Sequence, residues 1–235
     1  MIELLQRIDN SLLLCINDLN APWLDQCMWV LSSKLINIPL AFCIILLLKS
    51  QFSWRKTSLI FLMTLLVISL TDTVSTQLFK DVFERLRPSH NPIVSQYLHF
   101  YMIGPNNPYL GGQFGFVSSH AANLAALFMF VLPYLKKYNY AIYALASYVF
   151  LVCYSRVYLG VHYPSDILCG ALLGALIGWM FRRYLFAQII EKWDWQHFFW
   201  FLLEADSVVC CAFCSPNVCL FKQTLFLGQR FWVMY

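Results

Sequence analysis

The chain has 235 residues, of which 60% are hydrophobic and 12% charged, against about 25% charged in an average soluble domain, and this excludes a soluble globular protein. Its net charge of +4 comes from 16 Lys and Arg against 12 Asp and Glu. No basic run is present to grip a polyanion, so nucleic acid is not expected as a partner, and the cations are better read through their placement around a membrane.

In residues 1–24 the apolar positions Ile2, Leu4, Leu5, Ile8, Leu12 and Leu13 recur near helical spacing, which predicts an amphipathic helix lying in the membrane interface. The segment lacks a basic start followed by a cleavage site, so a removable signal peptide is not expected. Apolar runs then predict transmembrane helices at about Met28 to Leu48, Thr57 to Phe79, Ser119 to Leu135, Tyr140 to Tyr154 and Pro164 to Phe181. The expected fold class is therefore all-α, an integral membrane helical bundle with five transmembrane helices plus the N-terminal interfacial helix, its membrane domain covering residues 25–186. Between Pro88 and Val117 there is no Lys, Arg, Asp or Glu, while Tyr97, Phe100, Tyr101, Tyr109, Phe114 and Phe116 suit a loop at the headgroup level. Residues 187–235 form an atypical tail with Trp193, Trp195 and Trp200 and with Cys210, Cys211, Cys214 and Cys219. Glu204 and Asp206 interrupt its apolar run, so a sixth span is not expected, and the cysteine spacing is weak for zinc.

Basic residues set the orientation. With Lys49, Arg55 and Lys56, then Lys136 and Lys137, then Arg182 and Arg183 on the cytoplasmic side, the residues Lys80, Arg87, His120, Arg156, His162 and Asp166 all fall on the other. Charge at such a boundary is costly enough to be treated as functional. On a continuing helix Lys80 and Arg87 would share one face about 10 Å apart, either as snorkelling cations or as a pair converging on one anion. Ser118, Ser119 and His120 open a span, where free N–H groups and the helix dipole favour an anion; the alternative is a capped helix with an incidental histidine. Pro164 suits a first helical position, which leaves His162 just outside the helix and Asp166 in its first turn. There Asp166 could take a hydrogen bond from one imidazole nitrogen and leave the other as a nucleophile, or the two could form a structural pair. Arg156 beside them matches phosphate oxygens.

These residues resemble the three-part signature of the type 2 phosphatidic acid phosphatase family, K-x6-R-P, P-S-G-H and S-R-x5-H-x3-D, a family that includes vanadium haloperoxidases. Lys80 with Arg87 and Pro88 matches the first part, Ser118 and His120 the second, and Ser155, Arg156, His162 and Asp166 the third. Val117 and Ser119 depart from the pattern, standing where it has Pro and Gly. The resemblance implies two-step phosphoryl transfer: His162 attacks phosphorus, Asp166 orients it, and His120 protonates the leaving oxygen and then activates water. It also implies that Lys80, Arg87, Ser118, Ser119 and Arg156 hold the phosphate, with no metal and no cofactor. The implied partners are a lipid phosphate substrate and membrane lipids, with no obligate protein partner. The implied location is a bacterial inner membrane, multi-pass, with the site on the extracytoplasmic face. Undecaprenyl diphosphate is the expected substrate, with phosphatidate, phosphatidylglycerol phosphate and lipid A phosphates as alternatives. A haloperoxidase conflicts with the membrane composition. A non-catalytic lipid transporter or scaffold on the same fold would be expected to lose one of His120, His162 and Asp166, and all are present.

Overall fold

A computed structural model describes residues 2–186, and the Trp- and Cys-rich tail lies outside the described residues. Seven helices carry the fold: α1 Ile2–Asn17, α2 Pro22–Ser32, α3 Asn37–Lys49, α4 Trp54–Thr73, α5 Ser119–Val131, α6 Asn139–Tyr158 and α7 Pro164–Met180. Helix α4 runs on through a wider π-helical stretch, Val74–Lys80, and a last turn, Asp81–Phe83. Counted with these extensions, Trp54–Phe83, Asn139–Tyr158 and Pro164–Phe186 are long and apolar enough to cross a membrane. The apolar stretch Ser119–Leu135 is shorter. Leu62, Leu66, Phe150, Leu168 and Leu172 point outward, as side chains facing hydrocarbon do.

The expected unbroken first span from Met28 to Leu48 is instead two helices, α2 and α3, bent by 57°. Helix α2 stops at Ser33, whose backbone is extended, and a short 3-10 turn at Lys34–Ile36 leads into α3. Serines are weak helix formers, and the Ser32 hydroxyl accepts a short hydrogen bond from Arg156, a tertiary contact that hydropathy alone does not reveal.

Helices α5 and α7 approach most intimately. Gly170, Gly174 and Gly178 lie along one face of α7, and a Cβ added at each would stand 2.6, 1.9 and 2.4 Å from the carbonyl oxygens of Ser118, Ala122 and Ala126. Backbone-to-backbone packing of this kind is how membrane helices associate without a hydrophobic driving force. It also fixes the register of the two helix starts, where the Ser118 N–H donates to the Asp166 carbonyl at 3.1 Å.

Helix α1 turns its polar side inward. Leu4, Leu5, Ile8 and Leu12 are exposed, whereas Asp9, Leu13 and Asn17 are buried. Asn17 Nδ2 donates to the carbonyls of His99 and Tyr158, and its Oδ1 accepts the His99 N–H at 2.7 Å. Asp25 accepts from the Tyr158 hydroxyl at 2.6 Å and pairs with His99 at 2.9 Å. The aromatic segment after α4 is thus tied to α1, α2 and the end of α6. It contains one small hairpin, β1 Met102–Gly104 with β2 Asn107–Pro108. At the opposite end of the bundle, Gln51 Nε2 donates to the Tyr134 carbonyl and Ser50 bonds the Tyr138 hydroxyl, so the turns carrying Lys49, Arg55, Lys56, Lys136 and Lys137 meet.

Candidate active site

Lys80 and Arg87 do not share a helix face as their spacing suggested. The helix ends at Phe83 and Glu84 turns left-handed, φ 45°, so the chain reverses before Arg87. A backbone bridge between Leu86 and Phe114, with Arg87 Nε donating to the Phe114 carbonyl at 3.0 Å, then sets the guanidinium against Gly111 and the start of the side chain against Gly115. A Cβ at Gly111 would lie 2.5 Å from Arg87 Nη1. Gly111 leaves the space that the guanidinium fills and Gly115 the space for the Arg87 stem and Asp166 Oδ2, and their role was not visible in the sequence.

The wider turn of α4 brings Ser75 and Lys80 to one target. Lys80 Nζ donates to Ser119 Oγ at 2.6 Å and Ser75 Oγ donates to it at 2.9 Å. Ser119, standing where the resemblance expects glycine, therefore locates the lysine. Ser118 occupies the N-cap position of α5, but its side chain makes no cap bond and its Oγ is buried. The serine cap foreseen from the sequence is absent, and what ties this helix start down is the Ser118 N–H donated to the Asp166 carbonyl of α7.

Arg156 is 2% exposed at the last turn of α6, held by Ser32 and by the Tyr109 hydroxyl at 2.9 Å. Burial pushes the Tyr109 phenol up, but the charge and hydrogen bond of Arg156, together with Ser32 and the charge of Arg87, bring it below its usual value. His162 is 1% exposed. Burial first, then the charges of Arg87, Arg156, Lys80 and His120, hold its imidazole well below the usual histidine value, so it is neutral and nucleophilic near pH 7. Burial, followed by Arg156, brings Arg87 down to about 10, which leaves it charged.

The expected imidazole–carboxylate hydrogen bond is not formed: His162 Nδ1 stands 3.6 Å from Asp166 Oδ2. Asp166 folds back to accept the Tyr163 N–H at 3.1 Å, capping its own helix, and its other oxygen takes Arg85 Nη1 at 2.7 Å. Arg85 was missed in the sequence because it sits inside the Lys80–Arg87 spacing, where only the ends of the motif were weighed. Its guanidinium also donates to Asp9 at 2.8 Å and stacks over the Tyr163 ring at 4.3 Å. Asp9 in turn accepts the Ser165 N–H at 2.9 Å and, in a short contact, the Ser165 hydroxyl. The Asp166 and Asp9 carboxylates outweigh burial and raise Arg85 above its usual value.

Arg87 Nη1, Ser118 Oγ, Arg156 Nε and His162 Nδ1 are buried and make no hydrogen bond among the described residues. Unmatched polar atoms are rare in native interiors and call for a ligand or a catalytic reason. Here cationic donors from three separate segments surround a neutral imidazole, an arrangement suited to an oxyanion of phosphate size. His120, Lys80 and Arg87 also line the head of a cavity of about 980 Å³ that continues between α3 and α4 past Ile44, Phe61, Leu65 and Leu127. Among the described residues no three His, Cys, Asp or Glu side chains are gathered for a metal ion.

Known proteins match this arrangement. Residues 57–190 fit the model of the PAP2 superfamily. The lipid A 4'-phosphatase of Bacteroides thetaiotaomicron is 34% identical over 183 residues, covering 77% of this chain and 78% of that protein. The lipid A 4'-phosphatase of Porphyromonas gingivalis is 29% identical over 192 residues, covering 81% and 78%. The crystal structure of a transmembrane PAP2-type phosphatidylglycerolphosphate phosphatase from Bacillus subtilis superposes with a TM-score of 0.57 at 25% identity, covering 81% of this chain and 89% of that one. With the signature residues drawn together at one end of an apolar bundle, the chain belongs to the PAP2 superfamily and is a multi-pass membrane phosphatase.

Proposed function

We propose that the protein hydrolyses a phosphate monoester on a membrane lipid through a phosphohistidine, on the extracytoplasmic face of a bacterial inner membrane. The observation that carries this reading is the group of buried, unpaired polar atoms on Arg87, Ser118 and Arg156, with Arg87 also lining the head of an apolar groove beside Lys80 and His120. A phosphate satisfies the donors, and acyl chains suit the groove walls. His162 faces Asp166 through Nδ1, which leaves Nε2 to attack phosphorus. The P–N bond forms as the bond to the lipid oxygen breaks, and His120 gives that oxygen a proton. His120 then takes a proton from water, whose oxygen displaces the imidazole and releases inorganic phosphate. Lys80, Arg87 and Arg156 meet the non-bridging oxygens, where charge spreads in a loose transition state. Lys80 can serve while still bonded to Ser119, because an ammonium has three donors.

The two lipid A 4'-phosphatases support a monoester on a glycolipid more than the undecaprenyl diphosphate expected from the sequence, and the Bacillus structure keeps phosphatidylglycerol phosphate open. Phosphate release by the purified protein from lipid A, phosphatidylglycerol phosphate, phosphatidate and undecaprenyl diphosphate tests the assignment. Release from lipid A at the highest kcat/KM is the expected result. Preference for the diphosphate overturns the monoester reading, and no release from any of the four overturns the lipid phosphatase reading. A cysteine placed at Asn106 in a cysteine-free background should react with an impermeant thiol reagent in intact cells; protection until the cells are opened would reverse the orientation.

A further inference from the structure

Asp72 lies within the longest span, eight residues before Lys80, and is exposed to the groove rather than packed away. A carboxylate at that depth is expensive and marks function by default. It forms no ion pair among the described residues, and Lys80 is bonded to Ser119 instead. Among the described residues its carboxylate accepts one hydrogen bond, across the groove floor: Asn123 Nδ2 on α5 donates to Asp72 Oδ1 at 3.0 Å. The amide orientation follows from the charge, since the reverse would set an oxygen against a carboxylate. One carboxylate oxygen is thereby held and the other is left for the groove. Ser69 and Thr76 line the same stretch, so a polar shelf interrupts walls otherwise made of Ile44, Leu65, Ile68, Leu124 and Leu127.

The depth of this shelf is set by its neighbours. Ser75 and Lys80 meet Ser119 at the level of the phosphate site, and Asp72 meets Asn123 one turn further in, about 5 Å deeper. That is the reach of a group four or five bonds from a bound phosphorus. Resting on the lipid phosphatase reading above, we propose that Asp72, held by Asn123, is a specificity residue that accepts a hydrogen bond from a hydroxyl or amide N–H of the lipid four or five bonds from its phosphorus. Lipids with a hydroxyl or amide beside the phosphate, as in acylated amino sugars and ceramide phosphates, satisfy the carboxylate. Phosphatidate and polyprenyl phosphates bring only ester or hydrocarbon there and leave a charged acceptor unpaired in an apolar groove, a strong basis for rejection.

Ceramide 1-phosphate and dioleoyl phosphatidate make a matched pair, each with two chains and one phosphate monoester, differing in the donors beside it. In mixed micelles the wild-type kcat/KM should favour ceramide 1-phosphate, and Asp72→Asn should lower the ratio of the two values about tenfold, mainly through KM. Asn at position 72 can still accept from Asn123, so the variant keeps the contact between helices while losing the charge. Unchanged values on both lipids, or equal losses on both, overturn the proposal, since either leaves the ratio as it was: the first would leave Asp72 as a link between helices, the second as a counter-charge to the cations. Equilibrium binding of both lipids to His162→Ala, with and without Asp72→Asn, reads the same ratio without turnover. Failure of the phosphatase reading would thus show as absent phosphate release, and failure of this proposal as an unchanged binding ratio.

Discussion

Two sides of the bundle are built on opposite plans. Between α5 and α7 the backbones touch, with Gly170, Gly174 and Gly178 set against Ser118, Ala122 and Ala126. Between α3 and α4 the helices stand apart around a cavity of about 980 Å³, and residues such as Leu62 and Phe42 face outward. The closed side carries Ser118, His120 and Asp166, groups whose geometry tolerates little error, while the open side offers space and apolar surface. A phosphatase acting inside a fluid bilayer needs both, and here they belong to different helix pairs.

The comparison breaks first at the chemistry. His162→Ala should lower phosphate release by about 10³-fold or more with any lipid, since the proposed covalent step needs its imidazole; residual turnover within tenfold of wild type would refute the nucleophile. Arg85→Ala comes next, with a loss of about 10–100-fold in kcat and little change in KM, because Asp166 would lose its guanidinium partner while the phosphate donors stay. Arg85→Lys should recover part of it, and a change confined to KM would place Arg85 in substrate binding instead.

His120→Ala should cost more on a lipid alkyl phosphate than on a nitrophenyl phosphate, whose leaving group needs no proton. Equal losses would remove its role as acid. Smaller effects separate the two sides by stability. Gly174→Ala puts a methyl 1.9 Å from the Ala122 carbonyl and should destabilise by about 1–3 kcal/mol. Leu62→Ala, at 59% exposure on the open side, should stay within about 0.5 kcal/mol. Thermal midpoints of the two variants in one detergent check the contrast, and a reversed order would dissolve it.

The smallest effect is in pH. His162 has a folded pKa below the unfolded value of about 6.5, so the unfolded chain binds a proton that the native site resists. Its burial costs nothing above that value, and stability declines as pH falls below it. The acid limb of kcat/KM should also lie below 6.5, and a limb above it would show that the imidazole is not so held.

Much of the site was legible because phosphate chemistry uses few residue types, and in a chain with 12% charged residues each cation stands out. Lys80, Arg87, His120, Arg156, His162 and Asp166 were all marked from the sequence, and the structure brings them to one end of the bundle. The paths by which they arrive were less visible. A helical extrapolation from Lys80 to Arg87 fails at Glu84, whose left-handed turn carries no glycine signal. The break at Ser33 was hidden because hydropathy reads straight through two serines, while Arg156 pulls on Ser32 from 124 residues away. The glycine stripe was present at four-residue spacing on α7, yet its meaning depends on the facing helix, which a single segment cannot supply.

Asp9 has a consequence for biogenesis. Its carboxylate bonds Ser165 across 156 residues, and between them Arg85 spans from Asp9 to Asp166. During synthesis Asp9 and Arg85 enter the membrane well before His162, Ser165 and Asp166 exist. The early helices therefore wait with two halves of an ion-pair network that only the last described span can complete. A nascent chain that stalls before α7 has Lys80, Arg87 and Arg156 but neither Asp166 beside His162 nor the close packing of α7 on α5, so on the proposed mechanism hydrolysis waits until the bundle has closed on itself.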